Sequence, residues 1–275
     1  MIIWLASYPK SGNTWVRSFI ASLLYTNDGN SNFKNLSKIS QYPLKSHFVN
    51  LCNNLKNVQE IKKYWHLSQD IINLDKKIKF LKTHNALCNI GGDNFSSIKN
   101  TLGVIHIVRD PRNVISSIKN FYSLKDYETA KEFIFDESRV IQGDYNLDNF
   151  PISTPILSWS AHYRSWNTVK KNYLIVKYEN LIEKPDIEFE RVAKYLSKLL
   201  KINFPKEKIK KCIYSNSFEK LKNQEKKFGF SESSMNKKSF FDLGPNNRWE
   251  KIISEKIAKE VEKRFYKEMK ELNYI

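Results

Sequence analysis

Four short apolar runs set the limits on what this chain can fold into: IIWLA (2–6), IKFLK (78–82), VIHIV (104–108) and YLIVKY (173–178). Each has the length of a strand and is apolar on both alternating faces, so each must be covered on both sides. Between them the period changes. Trp15, Val16, Phe19, Ile20, Leu23 and Leu24 recur at helical spacing, as do Val114, Ile115, Ile118 and Phe121, and again Ile156, Trp159, Tyr163 and Trp166. Strands alternating with helices predict an α/β fold: a single domain with a mostly parallel central sheet flanked by helices. Ligands of such sheets bind beyond the carboxyl ends of the strands, so the residues just after each run are the candidate site.

The remaining segments are assigned more coarsely. Residues 26–77 are polar and Asn-rich and read as helices and loops outside the sheet; 125–142 reads as a helix and 143–155 as a loop. Asp186 is placed to cap a helix carrying Phe189, Val192, Ala193, Leu196 and Leu200. The Lys- and Ser-rich stretch 220–239 shows little periodicity, and a terminal helix carries Ile253, Ile257, Val261 and Phe265.

Composition removes several classes. No apolar run approaches the ~18 residues of a membrane span, and the first run starts at residue 2 with no basic segment ahead of it, so a cytoplasmic protein is expected. Three cysteines far apart give neither a disulfide scaffold nor a zinc site, and the five histidines form no HExxH, so no metal is expected. The net charge of +17 suits an anionic partner. Lysine outnumbers arginine thirty-eight to eight, however, which reads as a solvated surface better than as base-reading chemistry.

The first strand is followed by SYPKSGNTW, a short turn in which Lys10, Ser11, Gly12, Asn13 and Thr14 lead into a helix. A tight Gly-containing turn at a helix N-terminus offers backbone N–H groups and a positive dipole to an anion, and Lys10 adds a full charge. The pattern is not GxxxxGK[ST], because the lysine precedes the glycine. The second strand ends at Lys82, Thr83 and His84, and the third at Arg109, with Ser116 and Ser117 about two turns into the next helix. The fourth ends at Tyr178. Taken singly, these have ordinary explanations: a structural histidine, or an Arg109–Asp110 surface pair. Lys, His, Arg and Tyr at four strand ends together point to an anionic ligand.

With these segments in order, the chain resembles the sulfotransferase family that uses 3′-phosphoadenosine 5′-phosphosulfate (PAPS). SYPKSGNTW is similar to that family's 5′-phosphosulfate loop, FLKTHNAL to its K-T-H segment, and IHIVRDPRNVISSIKNFY to its 3′-phosphate motif. SWSAHYRSW, YLIVKYENLIEKP and SFEKLK continue the match, and FFDLGPNNRWEKIIS lies where the family has a C-terminal glycine motif. The resemblance runs from residue 4 to about 254. It implies a P-loop-NTPase-like domain spanning 1–275, in which Lys10 stabilises the oxygen bridging phosphate and sulfate. Ser11, Gly12, Asn13 and Thr14 would cradle the 5′-phosphate, with Trp15 against the adenine. Arg109 and Ser117 would hold the 3′-phosphate, Tyr178 would reach the adenine edge and Phe218 would stack on its other side. His84 would be the general base, with Lys82 assisting at the sulfuryl group. The family's Arg-Lys before the C-terminal glycine is Asp242-Leu243 here, leaving Arg248 or the Lys237–Lys238 pair as replacement 3′-phosphate donors.

Sulfuryl transfer is an in-line displacement at sulfur, so the acceptor hydroxyl needs a base within reach and the leaving oxygen needs positive charge. The acceptor pocket is expected from segments 26–75, 123–155 and 225–240; Tyr42, Phe48, Trp65, Tyr122, Tyr127, Phe135, Tyr145, Phe228 and Phe230 there read either as its walls or, for most of them, as ordinary core. A saccharide hydroxyl is the preferred acceptor and a small alcohol or phenol the next. Two rival readings are kept: a P-loop-like kinase using ATP, against which the missing GK[ST] counts, and a basic nucleic-acid-binding protein, which rests on net charge alone.

Overall fold

The computed structural model describes residues 1–143, 151–230, 239–241 and 244–275. Five strands form one parallel sheet: β1 (Ile2–Ser7), β2 (Ser40–Gln41), β3 (Lys79–Thr83), β4 (Thr101–Val108) and β5 (Tyr173–Lys177), in the spatial order β2-β3-β1-β4-β5. β1 lies between β3 and β4, with Trp4 opposite both Leu81 and Val104. The chain therefore fills one side of β1 first, placing the edge strand β2 before β3, and then the other side. Such a reversal leaves a crevice at the carboxyl ends of the central strands.

Alternation along β1 divides the core. Ile3 and Leu5, fully buried, pack with Ile105, Ile107 and Val176 against helices α1 (Asn13–Tyr25) and α3 (Pro185–Leu200). Ile2, Trp4 and Ala6 face the other way, among Leu81, Trp65, Phe95 and Trp166. A third cluster surrounds helix α2 (Pro111–Phe121) and joins Val114, Ile115 and Ile118 to Trp159, Val261 and Phe265. No helix among the described residues is long and apolar enough to cross a membrane.

The structure differs from the sequence reading at identifiable places. β5 stops at Lys177, and Tyr178 opens a short helix, Tyr178–Glu183. The expected 125–142 helix is Tyr127–Phe135, capped by Asp126, whose carboxylate accepts from the Thr129 N–H. Val140–Ile141, expected within that helix, instead pairs as a strand with Thr154–Pro155, which was expected to be loop. Asp186 is not the cap: Pro185 opens α3 and Asp186 sits in its first turn. The lysine-rich stretch forms helix α4 (Phe218–Phe228), capped by the Ser217 hydroxyl, because Leu221 and Glu225 supply its one buried face. Of the terminal stripe, Ile257 and Val261 lie in helix Glu255–Arg264, Ile253 precedes it, and Phe265 sits at its junction with a second short helix, Tyr266–Glu271.

Candidate active site

The turn after β1 is set by two left-handed residues, Lys10 (φ 66°) and Gly12 (φ 98°). Only glycine fits at the second. A Cβ there would stand 2.5 Å from Tyr178 Cδ2, and an L-residue resists that backbone besides. Asn13 fastens the turn to the strand, its Nδ2 donating to the Leu5 carbonyl at 2.9 Å and to Ser7 Oγ at 3.1 Å. Its side chain thus turns back toward β1. α1 begins without a side-chain cap or an acidic residue in its first turn, so its leading N–H groups and positive dipole end are left for a ligand. The Ser11 hydroxyl is buried beneath the turn with no hydrogen-bond partner among the described residues.

Arg109, at the end of β4, does not pair with Asp110. Asp110 caps α2 and pairs with Arg112 at 2.6 Å. Arg109 instead turns inward, where its Nη1 donates to the Lys10 carbonyl at 2.9 Å and to Ser117 Oγ at 3.1 Å. Its guanidinium lies 4.1 Å from the centre of the Tyr178 ring, and its Nε is buried without a partner among the described residues. The two strand-end motifs are therefore in direct contact.

Asn247 completes this corner. Its Nδ2 donates to Ser117 Oγ at 2.9 Å, and its Oδ1 accepts from Ser116 Oγ at 2.6 Å. Arg248, the expected replacement donor, is exposed and absent from the cavity wall, because its neighbour Asn247 holds the inward position. Lys237, Lys238, Asp242 and Leu243 lie outside the described residues. Asn247 was not foreseen; its place two residues before Trp249 in the last motif was the signal available.

One cavity of about 1350 Å³ spans these elements and takes in Lys10, Gly12, Thr14, Lys82, His84 and Arg109. Trp15, Tyr178 and Phe218 border it together. Trp15 is held by its Nε1 donating to the Asn216 carbonyl at 2.6 Å and meets both rings edge-on. Phe218 lies over Gly244, where an added Cβ would come within 2.1 Å of the ring.

His84 has a defined orientation. Its Nδ1 is 2.8 Å from the Ser7 carbonyl, which only accepts, so Nδ1 carries the proton and the neutral ring has its lone pair on Nε2. Behind it, His162 is fully enclosed and hydrogen-bonded to the His84 backbone; burial pulls its pKa down to about 3. His106, bonded to the Tyr173 hydroxyl at 2.6 Å, is also pushed well down by burial. Both are neutral packing groups, whereas His84 is partly exposed in the cavity. The Lys10 ammonium lies between two aromatic rings, 4.2 Å from the centre of Phe121 and 4.2 Å from that of Phe240.

The rest of the cavity wall is more apolar than polar: Phe33, Leu36, Ile39, Tyr122, Ile141 and Phe230 line it, together with the polar side chains of Lys34, Ser37, Ser40, Gln41, Asn120, Gln142, Thr154 and Ser239. Of the aromatic residues weighed from sequence as pocket wall or ordinary core, Tyr122 and Phe230 line it. Tyr42, Phe48 and Trp65 are core residues around Trp4, Tyr127 and Phe135 pack beside α2, and Phe228 is 73% exposed. Tyr145 lies outside the described residues. Among the described residues no group of three or more His, Cys, Asp or Glu is placed to hold a metal ion.

A family model described as Sulfotransferase domain matches residues 2–273. The chain is 25% identical over 226 residues to sulfotransferase 1 family member D1 of Mus musculus, covering 80% of this chain and 65% of that protein. It is also 25% identical to cytosolic sulfotransferase 12 of Arabidopsis thaliana, over 95% of this chain and 75% of the other. It thus spans about 65% of the length of the first mammalian relatives it matches. Among solved structures, mouse sulfotransferase SULT7A1 complexed with PAP superimposes with a TM-score of 0.63 at 17% identity, over 98% of this chain and 84% of that one. A retinol dehydratase bound to androsterone and PAP gives 0.62 at 16%, over 98% and 80%.

Proposed function

Because the chain belongs to the sulfotransferase domain family, we propose that it transfers a sulfuryl group from PAPS to the hydroxyl of a small acceptor. The observation that carries this reading is the contact between Arg109 and the Lys10 turn, with Ser117 on the same guanidinium nitrogen. One adenosine carrying phosphates at both its 3′ and 5′ positions is the ligand such adjoining anion sites suit. The residues fit it. Arg109 Nε and Ser11 Oγ are buried donors without partners among the described residues, the kind of group a bound phosphate satisfies. Trp15, Tyr178 and Phe218 supply aromatic surface for the adenine.

In this reading the 5′ end lies on the leading N–H groups of α1 and the 3′-phosphate on Arg109, Ser117 and Asn247. Arg109 offers the planar fork that binds phosphate through two parallel hydrogen bonds. His84 Nε2 takes the proton of the attacking hydroxyl. The Ser7 carbonyl keeps that tautomer in place and stabilises the imidazolium that forms. Lys10 meets the charge that grows on the bridging oxygen, and Lys82, buried at the end of β3, assists at the sulfuryl group.

For the acceptor, the balance of the cavity lining supports a small apolar alcohol or phenol over the saccharide expected from sequence. Phenyl and aliphatic side chains such as Phe33, Leu36, Ile39, Ile141 and Phe230 make up most of its surface, with Lys34, Ser37, Ser40, Gln41 and Gln142 among its polar groups, which suits an apolar body with one hydroxyl better than a polyhydroxylated sugar. The names of the plant relatives support a cytosolic setting. Incubation of the protein with labelled PAPS and a panel of phenols, aliphatic alcohols and sugars tests the reading. Label transfer to the first two groups is expected; transfer to none, with ATP consumed instead, would establish the kinase alternative.

A further inference from the structure

Residues 239–241 cross the cavity beside Lys10, and Phe240 forms one of the two rings flanking the ammonium. The backbone there is held by one carboxylate. Glu225, on the buried face of α4 and only 8% exposed, accepts from the Ser239 hydroxyl at 2.8 Å, from the Phe241 N–H at 2.9 Å and from the Phe240 N–H. Two consecutive peptide N–H groups and a hydroxyl thus converge on a single side chain. Such an acceptor fixes both the direction and the depth of the strand it holds. Phe241 packs into the cluster of Phe33, Phe218 and Phe230, and Phe240 also meets the Phe230 ring. The ring on one side of Lys10 and the ring that braces Phe218 are therefore both positioned by Glu225.

We infer that Glu225 is a positioning residue for the transfer step: by holding residues 239–241 it seats Phe240 against the Lys10 ammonium, keeping that charge aimed and shielded from water. The inference rests on the proposed sulfuryl transfer, with Glu225 touching neither substrate nor nucleotide. A displacement of about 1 Å at a catalytic charge costs on the order of 100-fold in rate, whereas binding made elsewhere on the ligand is spared.

The test uses Glu225→Ala, Glu225→Gln and, as a variant that leaves the carboxylate in place, Phe240→Leu. Hydrogen exchange of the Phe240 and Phe241 amides, read by mass spectrometry, reports the hold itself without reference to any activity. Both amides should exchange faster in Glu225→Ala, with Glu225→Gln intermediate because it keeps one acceptor oxygen. In PAPS-dependent turnover, kcat should fall by about 10- to 100-fold in Glu225→Ala and in Phe240→Leu, with PAP affinity within threefold of the parent. Unchanged exchange in Glu225→Ala overturns the hold; faster exchange with unchanged kcat, or an unchanged kcat in Phe240→Leu, overturns its link to Lys10. A parent protein with no PAPS turnover would instead refute the underlying function, and the exchange result would still stand by itself.

Discussion

At the scale of single residues, the proposed chemistry is divided between His84, whose tautomer is set by the Ser7 carbonyl, and Lys10, whose charge sits between two rings. Replacing His84 with Ala should lower turnover by roughly 10²- to 10⁴-fold, as for loss of a general base, while PAP affinity stays within a few-fold. Steady-state kinetics with calorimetry checks both, and retained activity would assign the base elsewhere. Lys10→Ala should reduce kcat by roughly 10²- to 10³-fold, comparable to removing an oxyanion donor. An unchanged single-turnover rate would remove Lys10 from the transition state. The convergence of these positions was legible from the residues: Lys10, His84, Arg109, Ser117 and Tyr178 all border one cavity. What could not be read was the outcome of competition between neighbours. Arg112 takes Asp110 and frees Arg109 to turn inward, and Asn247 takes the place expected of Arg248.

At the scale of elements, the strand–turn–helix unit of β1 and α1 depends on close approach of the Tyr178 ring to Gly12. Gly12→Ala places a Cβ 2.5 Å from that ring and forces an L-residue to φ 98°, a conformation that costs about 1–2 kcal/mol before the clash is counted. The variant should melt at lower temperature and lose PAP binding; thermal unfolding and titration of the same sample decide, and native binding would contradict the turn's role. Elements with strong period were legible for the reason that they bury one face: α1, α2 and the strands at 2–6 and 104–108. Those that escaped lacked that signal. β2 is two residues long, and α4 turns a single narrow face inward while carrying lysines on the rest.

At the scale of the whole molecule, parallel strands in the order β2-β3-β1-β4-β5 bring the ends of β1 and β4 together although Lys10 and Arg109 are distant in sequence. The same burial makes the fold sensitive to acid. Enclosure pulls His162 to about 3 and His47 to about 4, and His106 is also lowered. Below the ordinary histidine range the unfolded chain then binds more protons than the folded one. Stability that is present above about pH 6.5 is lost as pH falls toward those values. For His162 alone this is on the order of 2 kcal/mol between pH 6.5 and 5. Urea unfolding at pH 7.5 and 5 should show the drop, smaller in His162→Gln; a flat profile would contradict the enclosure of these rings.

The claim on which the account turns is that the Lys10 turn and Arg109 hold the two ends of one nucleotide. Calorimetric titration of the parent and of Arg109→Ala with 3′,5′-adenosine bisphosphate and with 5′-AMP tests it most directly. The parent should prefer the bisphosphate, and Arg109→Ala should bind it about 10- to 100-fold more weakly with 5′-AMP nearly unaffected, so that the preference disappears. Equal affinities in the parent, or a preference that survives the substitution, would contradict it.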